Sequence, residues 1–367
     1  MIGTALFGFL VLYCTPFAAS LNVTTIQNCP VLSPRSAPPS DVRDLRVDDI
    51  KLIAALGDSI FAGYGMKNVP EGSSGLVHPN ALTEHRGLNY MMGGDPDAIS
   101  IANFIKHYNP KLLGPSTNTH PLVSIAGKVS YATRYSLVDN LNAAISGAMA
   151  VNLDLELDYL LQELNSPFAS YTNAKDEWKM INIHIGSNEM CQSCDSKLAN
   201  LTTPEVYARE TENAVQRIQK SIPKVFVNLI GMFRFSVIDQ MAKANPQYCA
   251  NRNIIKPCAC FLQNKIEHMD DLMDQFNIKL KAIASKYAPQ PGSTFGVVYT
   301  PFPIDFESFP INAFSNIDCF HPSFSAHQWM AKSIWNQLFT KSKPSTMLFD
   351  FSKEVIYCPS NSDRLVI

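Results

Sequence analysis

The chain has 367 residues, of which 46% are hydrophobic and 17% are charged, and its formal net charge is −2. This composition can fill a sizeable core and excludes general disorder, while the near-balanced charge excludes the basic surface that nucleic acids or anionic membranes require. The length fits either one large α/β domain or two domains of average size.

The first 20 residues form an apolar segment that ends in a helix-breaking proline and small residues, Pro16 followed by Ala18, Ala19 and Ser20. This pattern is typical of a cleaved secretory signal peptide, although residues 1–20 contain no Lys or Arg. A retained N-terminal anchor is the alternative. We therefore expect a secreted, extracellular protein that leaves the cell through the secretory pathway.

Cysteine usage agrees with export. Removal of residues 1–20, which include Cys14, leaves eight cysteines, and this even number predicts up to four disulfides whose pairing the sequence does not define. A zinc site made of Cys191-x-x-Cys194 and Cys258-x-Cys260 is the weaker alternative, because the second pair has the wrong spacing and exported thiols oxidise. We expect no bound metal.

Two sites match the Asn-x-Thr glycosylation sequon, at Asn22 and at Asn200. The sequon is short and common, so it gains weight only from the predicted export. We predict glycosylation at both asparagines.

Residues 21–50 are rich in Pro, Ser and Asp and are predicted to form an irregular lead-in. From residue 51 onward, short apolar runs alternate with helical patterns. We predict strands at 51–56, 179–186, 224–232 and 294–300, and helices at 153–164, 204–222, 262–287 and 323–342. This alternation indicates one α/β domain over 51–342 with a mainly parallel sheet covered on both faces, followed by a C-terminal tail at 343–367.

Two regions lack helical or strand periodicity. Residues 65–140 contain the turn signals Gly-Gly-Asp-Pro and Asn-Pro, and we predict an elaborate loop region beside the first strand. Residues 249–260 are predicted to be a second irregular insertion that disulfides pin in place.

The stretch AALGDSIFAGYG, residues 54–65, places Asp58 and Ser59 directly after the first predicted strand. Sites in doubly wound sheets lie at the carboxyl ends of the strands, so Ser59 is well placed to act as a nucleophile. A tight turn that caps a helix explains the same residues. The motif differs from the Gly-x-Ser-x-Gly elbow.

Near the end of the predicted domain, the sequence NIDCFHPS places Asp318 and His321 three residues apart. This spacing lets a carboxylate touch one imidazole nitrogen while the other nitrogen faces a site, as a general base and its orienting group require. A surface turn is the alternative, because Asp-x-x-His often arises by chance.

Two further positions offer donors for a developing oxyanion. Asn188 follows the strand that ends in Gly186, and its side-chain N–H can point at such an oxygen. Gly147, in NAAISGAMAVNL, lets a backbone N–H approach a ligand closely. A turn asparagine and a glycine required for helix packing are the alternatives.

The other seven histidines are interpreted as surface or structural residues. His184 lies within a predicted strand, where we expect a local hydrogen bond. His327 lies on the closing helix and is a candidate for a supporting role behind the site.

The motifs follow a defined order: Gly-Asp-Ser at 57–59, Asn-x-x-x-x-Gly-Ala at 142–148, Gly-x-Asn at 186–188 and Asp-x-x-His at 318–321. In this order they resemble the GDSL, or SGNH, hydrolase superfamily. The segments HRGLNYMMGGD, FIKHYNP and DCFHPSFSAHQWMAKSIWN are similar to its phospholipase B branch. The resemblance spans about residues 50–340, and the ordered set is specific where a single block is not.

The resemblance implies a flavodoxin-like three-layer α/β/α sandwich and a serine esterase that uses no metal or organic cofactor. It assigns Ser59 as the nucleophile, His321 as the general base and Asp318 as the carboxylate that orients the base. The N–H groups of Ser59 and Gly147 and the side chain of Asn188 would form the oxyanion hole. Two positions depart from the family pattern: Ile60 replaces a leucine and Glu189 replaces a common aspartate.

The branch resemblance also implies the substrate, the fatty-acyl esters of phospholipids or lysophospholipids. It implies transient contact with a lipid surface, and we infer neither nucleic acid nor an obligate protein partner. The same mechanism on a short-acyl or carbohydrate ester is one alternative. The other is a binding protein that kept the fold and lost activity, for which Glu189 is the main argument.

Overall fold

The computed structural model describes residues 21–75, 77–122, 134–166, 171, 174–255, 258–302, 304–305, 308–342, 347–351 and 354–367. The predicted signal peptide, residues 1–20, lies outside the described residues. The described strands are β1 Leu21–Val23, β2 Ile50–Gly57, β3 Thr83–Glu84, β4 His120–Pro121, β5 Trp178–His184, β6 Val225–Ile230, β7 Phe295–Thr300, β8 Ile304–Asp305, β9 Met347–Leu348 and β10 Ile356–Cys358.

The described helices range from single turns to 21 residues. They are α1 Ser59–Ala62, α2 Ile101–Tyr108, α3 Ser136–Asp139, α4 Leu153–Asn165, α5 Ser187–Gln192, α6 Pro204–Ser221, α7 Ser236–Ala244, α8 Arg252–Ile255, α9 Ala259–Leu262, α10 Ile266–Lys286 and α11 Phe324–Gln337.

The main sheet is parallel throughout, with the strand order β2-β5-β6-β7. In register across it, Ala54 pairs with Ile181, Ile181 with Val227, and Val227 with Val297. All residues of β5 and β6 are buried, because the sheet is covered on both faces, and this burial is why these strands appear as continuous apolar runs. The four predicted strands are confirmed.

Helices flank this sheet in two layers. In one group α6 packs between α4 and α10, which contact β2 and β7, and in the other α2 packs against α11. The predicted flavodoxin-like α/β/α sandwich is therefore confirmed. The predicted helix at 262–287 starts later, at Ile266, because Asn264 adopts a positive φ of 53° that separates α9 from α10. The closing helix ends at Gln337 instead of 342.

The region at 65–140 contains a helix that the sequence analysis missed. Helix α2 has only eight residues, too few for a clear periodic signal, and it buries Ile101, Ala102, Phe104 and Ile105. Ser100 caps it by accepting a hydrogen bond from the N–H of Asn103.

The open edge of β2 is covered by backbone from two separate segments. Ile53 N–H donates to the Leu113 carbonyl at 3.0 Å, and Ala55 N–H donates to the Leu141 carbonyl at 3.1 Å. Ala143 N–H in turn donates to the Ala55 carbonyl at 2.8 Å. These bonds satisfy the polar edge of the sheet and place residues 141–145 next to the end of β2.

The two ends of the described chain lie together. Strand β1 pairs antiparallel with β10, and Leu365 N–H donates to the Leu45 carbonyl at 2.8 Å. Trp335 on α11 donates its indole N–H to the Tyr357 carbonyl at 2.8 Å. The lead-in and the tail thus pack on the domain. None of the described helices is both long and apolar enough to cross a bilayer.

All eight cysteines after residue 20 are paired, as the even count predicted. The disulfides are Cys29–Cys358, Cys191–Cys258, Cys194–Cys260 and Cys249–Cys319. The four cysteines that were considered as zinc ligands are bonded to one another across two segments of the chain.

Gly114 provides a test of the covered sheet edge. Its φ is +103°, and an added Cβ would lie 2.1 Å from the Ile53 carbonyl oxygen. We expect Gly114→Ala to lower the free energy of unfolding by about 2–4 kcal/mol, because the strained backbone and the clash act together. The measurement is urea-induced unfolding followed by circular dichroism.

The matched control is Gly292→Ala. Gly292 also has a positive φ, +78°, but no described atom lies within 4 Å of a Cβ added there. We expect a loss of only about 1 kcal/mol, from the backbone alone. Equal losses in the two variants would contradict the close packing of residues 113–114 on β2.

Candidate active site

The turn that follows β2 gives two adjacent residues different roles. Asp58 is the N-cap of α1, and its carboxylate accepts a hydrogen bond from Ile60 N–H at 3.0 Å. Ser59 is the first residue of the helix, with 5% of its surface exposed. Gly63 ends the helix with a φ of +73°, and a Cβ there would lie 2.5 Å from the His85 carbonyl oxygen. Asp58 thus caps the helix, and the neighbouring Ser59 remains the candidate nucleophile.

Ser59, His321 and Asp318 form a continuous hydrogen-bonded series. Ser59 Oγ lies 2.7 Å from His321 Nε2, and His321 Nδ1 lies 2.6 Å from Asp318 Oδ2. When Nδ1 carries the ring proton and donates it to Asp318, Nε2 can accept the proton of the serine hydroxyl. The structure thus joins three residues that the sequence analysis proposed from two distant motifs.

The turn between Asp318 and His321 is held by the Asp318 carboxylate. Its Oδ1 accepts hydrogen bonds from the N–H groups of Phe320 and His321, both at 3.0 Å. Burial raises the pKa of Asp318, but the His321 ring and the hydrogen bonds from His321 and Phe320 outweigh it, and the resulting pKa lies below 3.8. Asp318 is therefore ionised at neutral pH and can hold the imidazole.

The His321 ring is packed on its other side by the chain that follows α1. The Tyr64 and His321 rings are nearly perpendicular, with centroids 4.8 Å apart. Gly65 has a φ of +71°, and a Cβ there would lie 2.8 Å from the His321 Cβ. Small residues after Ser59 therefore make room for the histidine.

Asn188 and Gly147 are brought together from two segments. Asn188 lies on α5, and its Nδ2 donates to the Ala148 carbonyl at 2.9 Å. Gly147, the residue before Ala148, has a φ of +82°. Ile145 N–H donates to the Gly57 carbonyl at 3.0 Å, which places this segment beside the end of β2. The side-chain amide of Asn188 has two N–H bonds. One donates to the Ala148 carbonyl, and the second is left as a candidate donor to a ligand.

Glu189 supports the same segment, a role that the sequence analysis did not foresee. Its Oε1 accepts a hydrogen bond from Ala150 N–H at 2.5 Å. The side chain is fully buried, and burial raises its pKa to about 8, with a further contribution from Asp58. Burial also raises the pKa of Asp58, to about 6. A buried carboxyl group on the turn itself, Asp58, thus interacts with a second one on α5, Glu189.

A buried ion pair lies behind the segment that leads to Gly147. Arg86 donates to Glu84 Oε2 at 2.8 Å and to the Ala144 carbonyl at 2.9 Å. The Ser146 hydroxyl donates to the second oxygen of Glu84. In the sequence this region stood out only through the family-like segment HRGLNYMMGGD, and the charged residues Glu84, just before it, and Arg86, within it, were the missed signal.

The two histidines singled out in the sequence are buried behind the site. His184 Nδ1 lies 2.8 Å from the Tyr90 hydroxyl, and Tyr90 N–H donates to His327 Nδ1 at 3.2 Å. Burial lowers the pKa of each histidine to about 3, so both are neutral at physiological pH. Within the described residues, no group of three or more His, Cys, Asp or Glu side chains is arranged to hold a metal ion.

Comparison with known proteins gives consistent matches. The family described as GDSL-like Lipase/Acylhydrolase matches residues 53–334. The chain is similar to the protein named "Phospholipase B1, membrane-associated" from Homo sapiens, with 25% identity over 350 residues, and from Rattus norvegicus, with 27% identity over 357 residues. These matches cover 91% and 93% of this chain but only 23% of each relative, so the chain spans about a quarter of their length.

The raised pKa of Glu189 predicts how stability depends on pH. The pKa is about 8 in the folded state against 4.5 for an ordinary glutamate, so between these values the folded protein keeps a proton that the unfolded chain has lost. Rising pH therefore favours unfolding. We expect Glu189→Gln to remove this dependence, so that the variant gains stability relative to the wild type from the lower to the upper end of this pH range.

Urea-induced unfolding of both proteins at the two ends of the range measures the difference. Glu267→Gln, on the exposed surface of α10, is the matched control. A constant difference between Glu189→Gln and the wild type across the range would show that Glu189 does not titrate in the predicted way.

Proposed function

The chain belongs to the GDSL-like lipase/acylhydrolase family, and from this premise we propose that it is a secreted serine esterase acting on fatty-acyl esters of phospholipids or lysophospholipids. The observation that carries the proposal is the series from Ser59 Oγ through His321 to Asp318, with distances of 2.7 and 2.6 Å. These are the separations that proton transfer from a nucleophile to an oriented base requires.

In the proposed reaction, Ser59 Oγ attacks the ester carbonyl while His321 Nε2 takes its proton. The Asp318 carboxylate keeps the Nδ1 proton in place and stabilises the imidazolium that forms. His321 then donates the proton to the departing alcohol oxygen, which leaves an acyl group on Ser59. A water molecule, deprotonated by the same imidazole, hydrolyses this acyl-enzyme and restores the serine.

The negative charge on the carbonyl oxygen is proposed to be held by three donors. They are the N–H of Ser59 in the first turn of α1, the N–H of Gly147 and the second N–H of the Asn188 amide. The hydrogen bonds from Ile145 to Gly57 and from Asn188 to Ala148 support this arrangement, because they fix the three donors on segments joined directly to each other. Donors fixed in advance need no reorganisation during the reaction.

The lipid substrate is supported by the relatives, whose printed name is phospholipase B1, at about 25% identity. Secretion is supported by four disulfides, which persist in oxidising compartments, and by the apolar pattern of residues 1–20. Asn22 and Asn200 are both exposed and are the proposed glycosylation sites.

Replacement of the nucleophile tests the proposal. We expect the purified wild type to hydrolyse long-chain lysophosphatidylcholine or phosphatidylcholine and to react with a fluorophosphonate at Ser59, located by mass spectrometry of the labelled peptide. Ser59→Ala should abolish both, since no hydroxyl remains for His321 to activate. The control is Ser293→Ala, two residues before β7 and at the opposite end of the sheet, which should keep both.

Two outcomes would contradict parts of this proposal. Full turnover in Ser59→Ala would exclude Ser59 as the nucleophile. Turnover of short-acyl esters without any hydrolysis of long-chain lipids would keep the mechanism and exclude the lipid substrate.

Removal of the side-chain donor tests the oxyanion site. We expect Asn188→Ala to lower kcat by roughly 10²–10³, the usual effect of losing one oxyanion donor. Asn188→Asp should lower kcat at least as much, because it keeps the shape of the side chain and replaces both N–H donors with an oxygen. Steady-state kinetics measure both variants, and a wild-type rate in either would remove Asn188 from the oxyanion site.

A further inference from the structure

The residue that follows Asp318 has an unusual backbone conformation. Cys319 has a φ of +47°, in the left-handed region that side chains rarely adopt. Of the five non-glycine residues with positive φ in the described chain, three are asparagines, which tolerate this region best. Cysteine has no such tolerance, so contacts made by the folded protein must offset the cost of this conformation at residue 319.

The left-handed conformation is what closes the turn around the Asp318 carboxylate. By reversing the chain at residue 319, it lets Asp318 accept the N–H groups of Phe320 and His321 and also meet the His321 ring. Cys319 N–H itself donates to the Ser315 carbonyl at 2.8 Å. The placement of the imidazole on Ser59 therefore depends on residue 319.

Cys319 is covalently tied to a second segment through the disulfide with Cys249. Both cysteines are buried, with 1% and 4% of their surface exposed, and they pack with Ala242, Tyr248 and Ile311. The disulfide therefore restrains the same residue whose backbone has the unfavourable positive φ.

Cys249 lies in residues 247–255, and we call these residues together with 258–262 the insertion. They contact the catalytic turn on both sides of Cys319. The Tyr248 hydroxyl donates to the Phe314 carbonyl at 2.7 Å, and the Phe261 and Phe320 rings lie 5.9 Å apart. The insertion thus packs against the turn both before and after Cys319.

The insertion is also tied to the helix that carries Asn188. Cys191 and Cys194 follow Asn188 in and directly after α5, and they form disulfides with Cys258 and Cys260. The insertion can restrain the turn only if it is itself held in place, and these two disulfides attach it to the segment of α5. The proposed base and the proposed oxyanion donor are therefore linked covalently through one insertion.

We propose that the Cys249–Cys319 disulfide holds residue 319 in its left-handed conformation and thereby keeps His321 aligned on Ser59. The two cysteines are positioning residues, which touch no substrate. This inference rests on the proposed function, because it assigns a role in the same reaction.

Two double variants separate the backbone effect from the loss of a crosslink. In Cys249→Ala/Cys319→Ala the left-handed conformation is disfavoured and no longer enforced, so we expect kcat about tenfold lower with KM little changed. In Cys249→Ala/Cys319→Gly the crosslink is equally absent, but glycine adopts a positive φ freely, so we expect kcat to recover towards the wild type.

The control is Cys29→Ala/Cys358→Ala. That disulfide joins residues 329 apart in sequence, against 70 for Cys249–Cys319, so its loss should lower stability at least as much. It ties the lead-in to β10 and has no bond to residue 319, so kcat measured below the unfolding transition should stay at the wild-type value.

Three results would overturn the inference. The first is a wild-type kcat in the Ala/Ala variant. The second is an equal loss of kcat in the Ala/Ala and Ala/Gly variants. The third is a loss of kcat in the Cys29→Ala/Cys358→Ala control in proportion to its loss of stability. If Cys249→Ala/Cys319→Ala does not fold, Cys249→Ala/Cys319→Asn replaces it. Asparagine tolerates a positive φ less well than glycine, so its kcat should lie below that of the glycine variant.

A readout without turnover separates this inference from the proposed function. A proton on His321 Nδ1 that is donated to Asp318 would give a low-field signal in proton NMR spectra. We expect the signal in the wild type and the Ala/Gly variant, and its broadening or loss in the Ala/Ala variant. An unchanged signal in the Ala/Ala variant would refute the positioning role, while a wild type with the signal but no esterase activity would refute only the proposed function.

Discussion

The hydrogen bond between Ser59 and His321 joins residues 262 positions apart in the sequence. It can form only if the end of β2 and the turn before α11 meet at one edge of the sheet. A parallel sheet supplies this edge, because the carboxyl ends of its strands lie together. Asn188 follows β5 at the same edge, and the hydrogen bond from Ile145 to Gly57 adds the segment of Gly147. The chemistry of the site follows from this shared edge.

Buried polar groups hold the segments around this edge at a cost in stability. Arg86 is almost fully buried, with Glu84 at 2.8 Å and Asp139 at 3.3 Å, and burying such charges costs several kcal/mol unless they are paired. Glu156 is also buried, and it accepts Gly57 N–H at 2.7 Å. Arg86 and Glu156 each bond to backbone beside the site. Their main effect is therefore to hold the loops around the site in place, and their contribution to the stability of the core is small.

Local sequence patterns predicted the secondary structure but not the contacts between distant segments. The main strands and most long helices follow from hydrophobic periodicity. The significance of the Ser59, Asn188 and Asp318–His321 motifs came from their order, which resembles that of a known family. The disulfide partners and the ion pair of Arg86 join distant segments, and no local pattern specifies such contacts. Helix α2 was missed because eight residues give too weak a periodic signal. Glu189, treated at first as an argument against activity, has its own backbone partner in the fold.

In the proposed site, the hydroxyl, the imidazole and the oxyanion donors surround one reacting carbon. The most direct measurement is a crystal structure of the protein after reaction with a fluorophosphonate, whose phosphoryl oxygen imitates the oxyanion. We expect phosphorus bonded to Ser59 Oγ and the phosphoryl oxygen within hydrogen-bonding distance of Ser59 N, Gly147 N and Asn188 Nδ2. A phosphoryl oxygen directed away from these donors, or phosphorus on another residue, would contradict this arrangement.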